Sequence, residues 1–316
     1  MRDQADDLRQ LVRQRLGTAA APDAPGVRLL AVSGGKGGVG ATTIALNLAV
    51  AFARRGARAV LVDADPHGGD LALRCRLEAR HTLADVLSGQ RSVREAVEPG
   101  PWGIRVLPGA WGVAEQSPAS PDAQQRLLEQ LQALRGEADW VVIDTGDGLS
   151  RLVRRFWLAA DAVLLVTTPD LASVMAAYGA IKVLAAGDDG IRLRSLVTMA
   201  PCLEAADDVH ARLAHVCRRF LGIRLAGAGH VPLDAAVARA GETGDPFLIA
   251  SPDCPAARQM ERIAQVLAEG AAACALCPEK GDAPYLPEGA AVGRRACVAV
   301  APRGCAPSFP PESATS

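Results

Sequence analysis

The stretch SGGKGGVGATT, from Ser33 to Thr43, has the composition of a phosphate cradle. Gly34, Gly35, Gly37, Gly38 and Gly40 let backbone N–H groups face an anion with no Cβ in the way, and a helix starting just after them adds a favourable dipole. The common phosphate-loop pattern is Gly, four residues, Gly, Lys, then Ser or Thr. Gly35 and Gly40 keep that spacing, Thr42 stands where a magnesium-binding hydroxyl belongs, and the lysine position holds Ala41. Carboxylates complete the set: Asp63 and Asp65 in LVDADP, and Asp144 in VVIDTGDG. Carboxylates at the ends of adjacent strands can hold Mg2+ through water and orient an attacking water. A glycine-rich turn with ordinary aspartate caps is the plainer reading of any one segment; the agreement of three segments favours the cradle.

The elements that must position these residues alternate in type. Val27–Val32 (VRLLAV) reads as a buried strand, 42–54 as a helix, and Ala59–Val62 as a strand ending at Asp63 and Asp65. Residues 81–97 read as short helices, Gly103–Leu107 as a strand, Pro121–Arg135 as a polar helix, and Trp140–Ile143 as a strand ending at Asp144. A strand at Ala162–Thr167 and a helix at 171–185 come next, then strand 194–199, helix 207–220, strand 226–231 and helix 255–269. This alternation predicts an α/β fold, a P-loop NTPase-like mostly parallel sheet with helices on both faces. Chemistry in such a fold belongs at the carboxyl ends of the strands.

Composition agrees. Hydrophobic residues make up 49% of the 316-residue chain but aromatics only 3%, which suits aliphatic strands buried on both faces. A formal charge of −1 gives no bulk attraction for polyanions, so no nucleic-acid partner is expected. No apolar run approaches the roughly 18 residues of a spanning helix, and the polar N-terminus is no signal peptide, so a cytoplasmic protein is expected.

The organisation predicted is an N-terminal amphipathic helix over 1–16, a linker over 17–26, a nucleotide-binding domain over 27–269 and a tail over 270–316. In the first helix Asp3 can cap and Leu8, Leu11, Val12 and Leu16 share a face. The linker GTAAAPDAPG carries Pro22 and Pro25. The tail, rich in Ala, Gly, Pro and Cys, reads as mostly disordered. Cys75, Cys202, Cys217 and Cys254 read as reduced thiols of the body. In the tail Cys274 and Cys277 form a zinc half-site, but Cys297 and Cys305 are spaced too loosely to complete it, and zinc is not expected. His67 reads as an exposed loop histidine and not as a phosphate contact.

KGGVGATT resembles the phosphate loop of the MinD/ParA family, whose signature lysine reaches across a dimer to the partner's phosphates; Lys36 matches it. LVDADP and VVIDTGDG resemble that family's two switch elements. The resemblance implies ATP contacts from Gly35, Lys36, Gly37, Gly38, Val39, Gly40, Ala41, Thr42 and Thr43, with Thr198 and Pro232 beside the purine. It implies Mg2+ supported by Thr42, Asp63 and Asp144, and Lys36 and Asp65 as catalytic groups, Asp65 polarising the water. TLADVLSGQRSVREAVEPGPWGIRVLPG, AADAVLLVTTPDLASVMAAYGAIKVL, GHVPLDAAV and SPDCPAARQM are similar to the flagellar-number regulators of the FlhG type. DQADDLR at the N-terminus is similar to that branch's activation motif, DQAxxLR. The loop alone specifies the superfamily; these blocks, over about residues 3–269, specify the branch.

Carried over, the resemblance implies an ATP-controlled homodimerising switch that limits flagellar number or sets flagellar placement. Asp3, Gln4, Ala5, Leu8 and Arg9 would dock the N-terminal helix on an SRP-type flagellar GTPase and stimulate it, Gln4 ordering the catalytic water. Flagellar basal-body components are further expected partners.

Two positions depart from the family pattern. Losing one partner of a buried charge pair costs about 2–5 kcal/mol, so Ala41 should weaken ATP binding by roughly 30-fold to a few thousand-fold and hydrolysis further. Thr198 stands where the branch carries an Asn that reads the adenine edge, and a hydroxyl lacks the bidentate amide match. Three readings stay open: a weakened ATP switch, a nucleotide-independent pseudo-ATPase adaptor that activates its partner GTPase, and an atypical pilus-localisation relative. The segment MERIAQVLAE reads as the last core helix, and the residues after it lack a basic amphipathic stripe, so peripheral association with the inner face of the cytoplasmic membrane is left open.

Overall fold

The computed structural model describes residues 27–66, 70–109, 120–147, 149–185 and 192–269. The N-terminal helix with Asp3, Gln4, Ala5, Leu8 and Arg9, the linker, His67 and the cysteine tail lie outside the described residues.

At the centre of the sheet is β1 (Arg28–Gly34), flanked in parallel by β5 (Trp140–Asp144) and β6 (Ala162–Thr167). Outward on one side lie β2 (Ala59–Asp63), β4 (Arg105–Leu107) and the short β3 (Glu98–Pro99); on the other lie β7 (Leu193–Ala200) and β8 (Ala226–Pro232). Among these strands only the β3–β4 pair is antiparallel. The mostly parallel α/β sheet predicted from alternation is therefore what forms.

The strands read as continuous apolar runs because both faces are covered. Leu30 and Val32 pack toward α1 (Ala41–Arg54) and the C-terminal α11 (Pro255–Ala268), while Leu29 and Ala31, one residue out of phase, join clusters on the opposite face. That opposite face is covered by α5 (Pro121–Gln132), α6 (Arg151–Ala159), α7 (Leu171–Ala185) and α8 (Leu203–Leu221). The short helices expected over 81–97 are α3 (Leu83–Leu87) and α4 (Val93–Ala96), each opened by a capping box, Thr82 with Asp85 and Ser92 with Glu95.

Four helices go beyond the sequence expectation: α2 (Leu71–Arg74), α6, α9 (Ala235–Thr243) and α10 (Phe247–Ala250). The signals for α6 are present in the chain. Ser150 Oγ accepts from Val153 N at 3.2 Å, and Val153, Phe156 and Trp157 fall at buried i, i+3, i+4 positions. Asp234 opens α9 by accepting from Ala236 N at 2.9 Å. The strand expected from Gly103 begins instead at Arg105, because Trp102 (φ 59°) and Gly103 (φ 82°) turn the chain in left-handed conformations. Among the described residues no helix is long and apolar enough to cross a membrane.

Candidate nucleotide-binding site

The loop that leaves β1 at its carboxyl end is pinned on two sides. Gly34 N donates to Gly146 O at 2.8 Å and Thr145 N to Val32 O at 3.0 Å, which locks the ends of β1 and β5 together. On the other side the loop lies on the backbone of α7. A Cβ on Gly35 would stand 2.7 Å from the Ala176 carbonyl carbon and 2.8 Å from Ala177 Cα, so only glycine fits. Gly40 (φ 87°) supplies the left-handed turn that starts α1, and its carbonyl accepts the first helical bond from Ile44 N at 2.9 Å. Ala41, the first helical residue and 7% exposed, sits in the apolar cluster beside Val39. Thr42 and Thr43 come next, half-buried, in the first turn.

Asp63 and Asp144 are cross-strand partners at the carboxyl ends of β2 and β5, each 1% exposed. Burial pushes the Asp63 carboxyl up to about 6, against the pull of the Leu71 and Asp65 backbone N–H groups; the Asp65 and Asp70 charges add to the rise. Burial pushes Asp144 up to about 7, opposed by the Thr42 hydroxyl and the Gly146 N–H, which donates at 3.1 Å. The second oxygen, Asp144 Oδ2, is buried with no hydrogen-bond partner. A buried acceptor left unpaired is costly, and beside a hydroxyl and a second carboxylate it suits a hard cation. Among the described residues no three His, Cys, Asp or Glu side chains are grouped to enclose a metal by themselves. Two carboxylates and a hydroxyl fit Mg2+, which keeps waters and phosphate oxygens in its shell.

Asp65 packs against the backbone of Gly146, bringing the two switch segments into contact. Residues that sequence reasoning missed also appear here. A Cβ on Gly109, in the VLPG block, would lie 2.7 Å from Asp63 Cγ, and one on Gly37 would lie 3.2 Å from Asp147 Oδ2. The block that marks the branch in sequence thus closes over a site carboxylate.

Lys36 does not point free into the loop. Its Nζ pairs with Asp170 Oδ1 at 3.2 Å. Asp170 also takes the Ser173 hydroxyl at 2.6 Å and Ser173 N–H at 3.0 Å, and it binds the Thr168 hydroxyl. It is thereby the N-cap of α7. These hydroxyls, then the backbone N–H and Lys36, hold its carboxyl well below the usual carboxylate range.

Thr198, placed by sequence beside the purine, is 4% exposed and faces inward. Its hydroxyl lies 2.7 Å from Val39 O, to which it donates, and 3.1 Å from Thr167 O, tying β7 to the glycine loop. With its one proton engaged inside the fold, the Thr198 hydroxyl has no second proton to donate. Pro232 closes β8, the strand next to β7.

The comparisons with known proteins agree with this geometry. A family model described as an AAA domain matches residues 27–186. The antiactivator FleN of Pseudomonas aeruginosa is 34% identical over 239 residues, spanning 76% of this chain and 85% of FleN. The chain belongs to the MinD/ParA family of P-loop ATPases, in its FlhG branch. Within that family the flagellum site-determining protein YlxH of Helicobacter pylori is 26% identical over 205 residues, 64% of this chain and 68% of YlxH. The crystal structure of the cell division ATPase MinD of Pyrococcus furiosus superposes with a TM-score of 0.64 at 26% identity, covering 77% of this chain and 99% of MinD. Measured against the family's loop pattern, Ala41 is a property of this member and not of the fold.

Proposed function

We propose that this MinD/ParA-family chain is an ATP-responsive spatial regulator of flagellar number or placement, with a nucleotide grip weakened at Ala41. The observation that carries the nucleotide reading is the buried, unpartnered Asp144 Oδ2 at the carboxyl end of β5, beside the end of β1 from which the glycine loop leaves. Similarity to FleN and to the flagellum site-determining YlxH supports the flagellar assignment. The loop N–H groups would bind the phosphates, and Thr42, Asp63 and Asp144 would hold Mg2+, which supplies charge neutralisation of the phosphates. Asp65, which lies against the Gly146 backbone, would orient the attacking water. Lys36 would leave Asp170 to reach a partner subunit's phosphates, making dimerisation a consequence of nucleotide. The N-terminal DQADDLR helix would engage an SRP-type flagellar GTPase.

Ala41 favours a second reading, in which nucleotide is dispensable and the N-terminal helix alone carries the activity. Calorimetry with Mg-ATP separates the two. Binding below millimolar, strengthened by Ala41→Lys, supports the switch; no heat with either form leaves the adaptor.

A further inference from the structure

Where α7 packs on α8 an apolar groove is left at the surface. Val174, Met175 and Tyr178 of α7 form one wall, and Leu213, Val216 and Phe220 of α8 form the other. Met175 is 59% exposed and Phe220 65%, so among the described residues the groove is open. Large apolar side chains left open beside one another forfeit the gain of burial, and such a patch marks a contact surface. The Arg219 guanidinium, 5.6 Å from the Phe220 ring, lies over one face of that ring.

The chain carries a segment that matches this groove. Leu8, Leu11, Val12 and Leu16 recur at spacings of three and four, the stripe of a helix that needs an apolar partner. Charge gives the direction. Glu204, Asp207 and Asp208 lie in the first turns of α8, whereas Arg212, which lines the groove, and Arg218 and Arg219 lie from its middle to its end. The N-terminal segment is ordered the same way, with Asp3, Asp6 and Asp7 first and Arg9, Arg13 and Arg15 after. Laid antiparallel to α8, each half of the segment meets the opposite charge.

The connection also reaches. β6, β7 and β8 run parallel to β1, and α8 leads from the carboxyl end of β7 back to the start of β8 at Ala226. Phe220 therefore stands toward the amino edge of the sheet, the edge at which the chain enters β1 at Arg28. β1 and β7 are two strands apart, roughly 10 Å. Residues 17–26 extend to roughly 33 Å, more than the roughly 28 Å length of α8. A segment on so short a tether meets the groove at an effective concentration of about millimolar.

We propose that the groove between α7 and α8 is the docking surface for this chain's own residues 5–16, held as a helix antiparallel to α8 with its leucine stripe against Met175 and Phe220. This contact rests on the amphipathic pattern of the segment and not on the nucleotide reading. While it is docked the apolar stripe is covered, so a partner that binds by the same leucines must first displace it from the groove.

The test is limited trypsin digestion of the full chain, with cleavage after Arg9 and Arg13 followed by mass spectrometry. Docking should slow these cuts by about tenfold or more relative to a free peptide of residues 1–20. Phe220→Asp and Met175→Asp alter exposed side chains, so the melting temperature should stay within a few degrees while cleavage approaches the peptide's rate. Leu8→Asp, which lies outside the sheet domain and leaves its folding untouched, should have the same effect. Benzoylphenylalanine placed at position 220 should cross-link on illumination to residues 5–16 of the same chain. Cleavage of wild type at the peptide's rate, or protection unchanged in Phe220→Asp and Met175→Asp, overturns the proposal. A cross-link to the tail over 270–316, or to a second copy seen as a covalent dimer, also overturns it and gives the groove to that occupant.

Discussion

Asp63 and Asp144 stand side by side at the ends of β2 and β5, buried together beneath the glycine loop, with one oxygen of Asp144 unpaired. Their carboxyls are raised to about 6 and about 7. In the window between the ordinary aspartate value and those values the folded chain holds protons that the unfolded chain has released. Stability from this pair is therefore present at low pH and lost as pH rises through 6 to 7, by roughly 2–3 kcal/mol for Asp63 alone. His210 works in the opposite sense: half-buried, with its pKa lowered by desolvation and its Nδ1 2.7 Å from Ser195 Oγ, it resists protonation in acid. The difference between wild type and Asp63→Asn isolates the aspartate. In EDTA the melting temperature of Asp63→Asn should gain on wild type as pH rises from 5 to 8. Millimolar Mg2+ should raise the wild-type melting temperature more at pH 8 than at pH 5, since a cation needs both carboxylates ionised. Equal magnesium shifts at both pH values would count against a metal between these residues.

Ala41→Lys should tighten Mg-ATP binding by roughly 30-fold to a few thousand-fold. Turnover should rise by more than binding does, because the restored charge also faces the transition state. Calorimetry and phosphate release read the two effects separately. A tighter complex with no gain in hydrolysis would place the defect at Asp65 or in the switch around Gly146.

Asp170 both caps α7 and holds Lys36, and two substitutions separate the roles. Asn keeps a capping oxygen but removes the charge that draws Lys36. Asp170→Asn should leave the melting temperature nearly unchanged while raising the dimer fraction at subsaturating Mg-ATP, measured by light scattering. Asp170→Ala should release Lys36 equally but melt a few degrees lower, having lost the cap as well. If neither variant alters dimerisation, holding Lys36 has no regulatory weight.

For the proposed role of the DQADDLR segment, a peptide of residues 1–20 should accelerate GTP hydrolysis by an SRP-type flagellar GTPase. Gln4→Ala should abolish most of that gain, because the amide is the group assigned to the catalytic water. Leu8→Ala should instead weaken binding and shift the concentration dependence. An unchanged maximal rate with Gln4→Ala would remove the catalytic role from this residue.

The amino-acid sequence by itself determined the fold class, the order of most elements and the positions of the glycine loop and its carboxylates. Those signals are local: aliphatic runs that need burial on both faces, glycines where a Cβ would obstruct, and aspartates at strand ends. The helix α6 was legible too, in Ser150 and the spacing of Val153, Phe156 and Trp157, but its three arginines masked the pattern. Only the tertiary structure decided what depends on distant partners. Thr198 ties β7 to the glycine loop because Val39 O, 159 residues away, lies within reach of its hydroxyl. Lys36 found Asp170 across a gap of 134 residues, and Gly109 came to rest on Asp63. Near Met199, exposed close to the end of β7, that strand carries one residue more than β8, and strand register is a property of the pair that neither strand spells out alone.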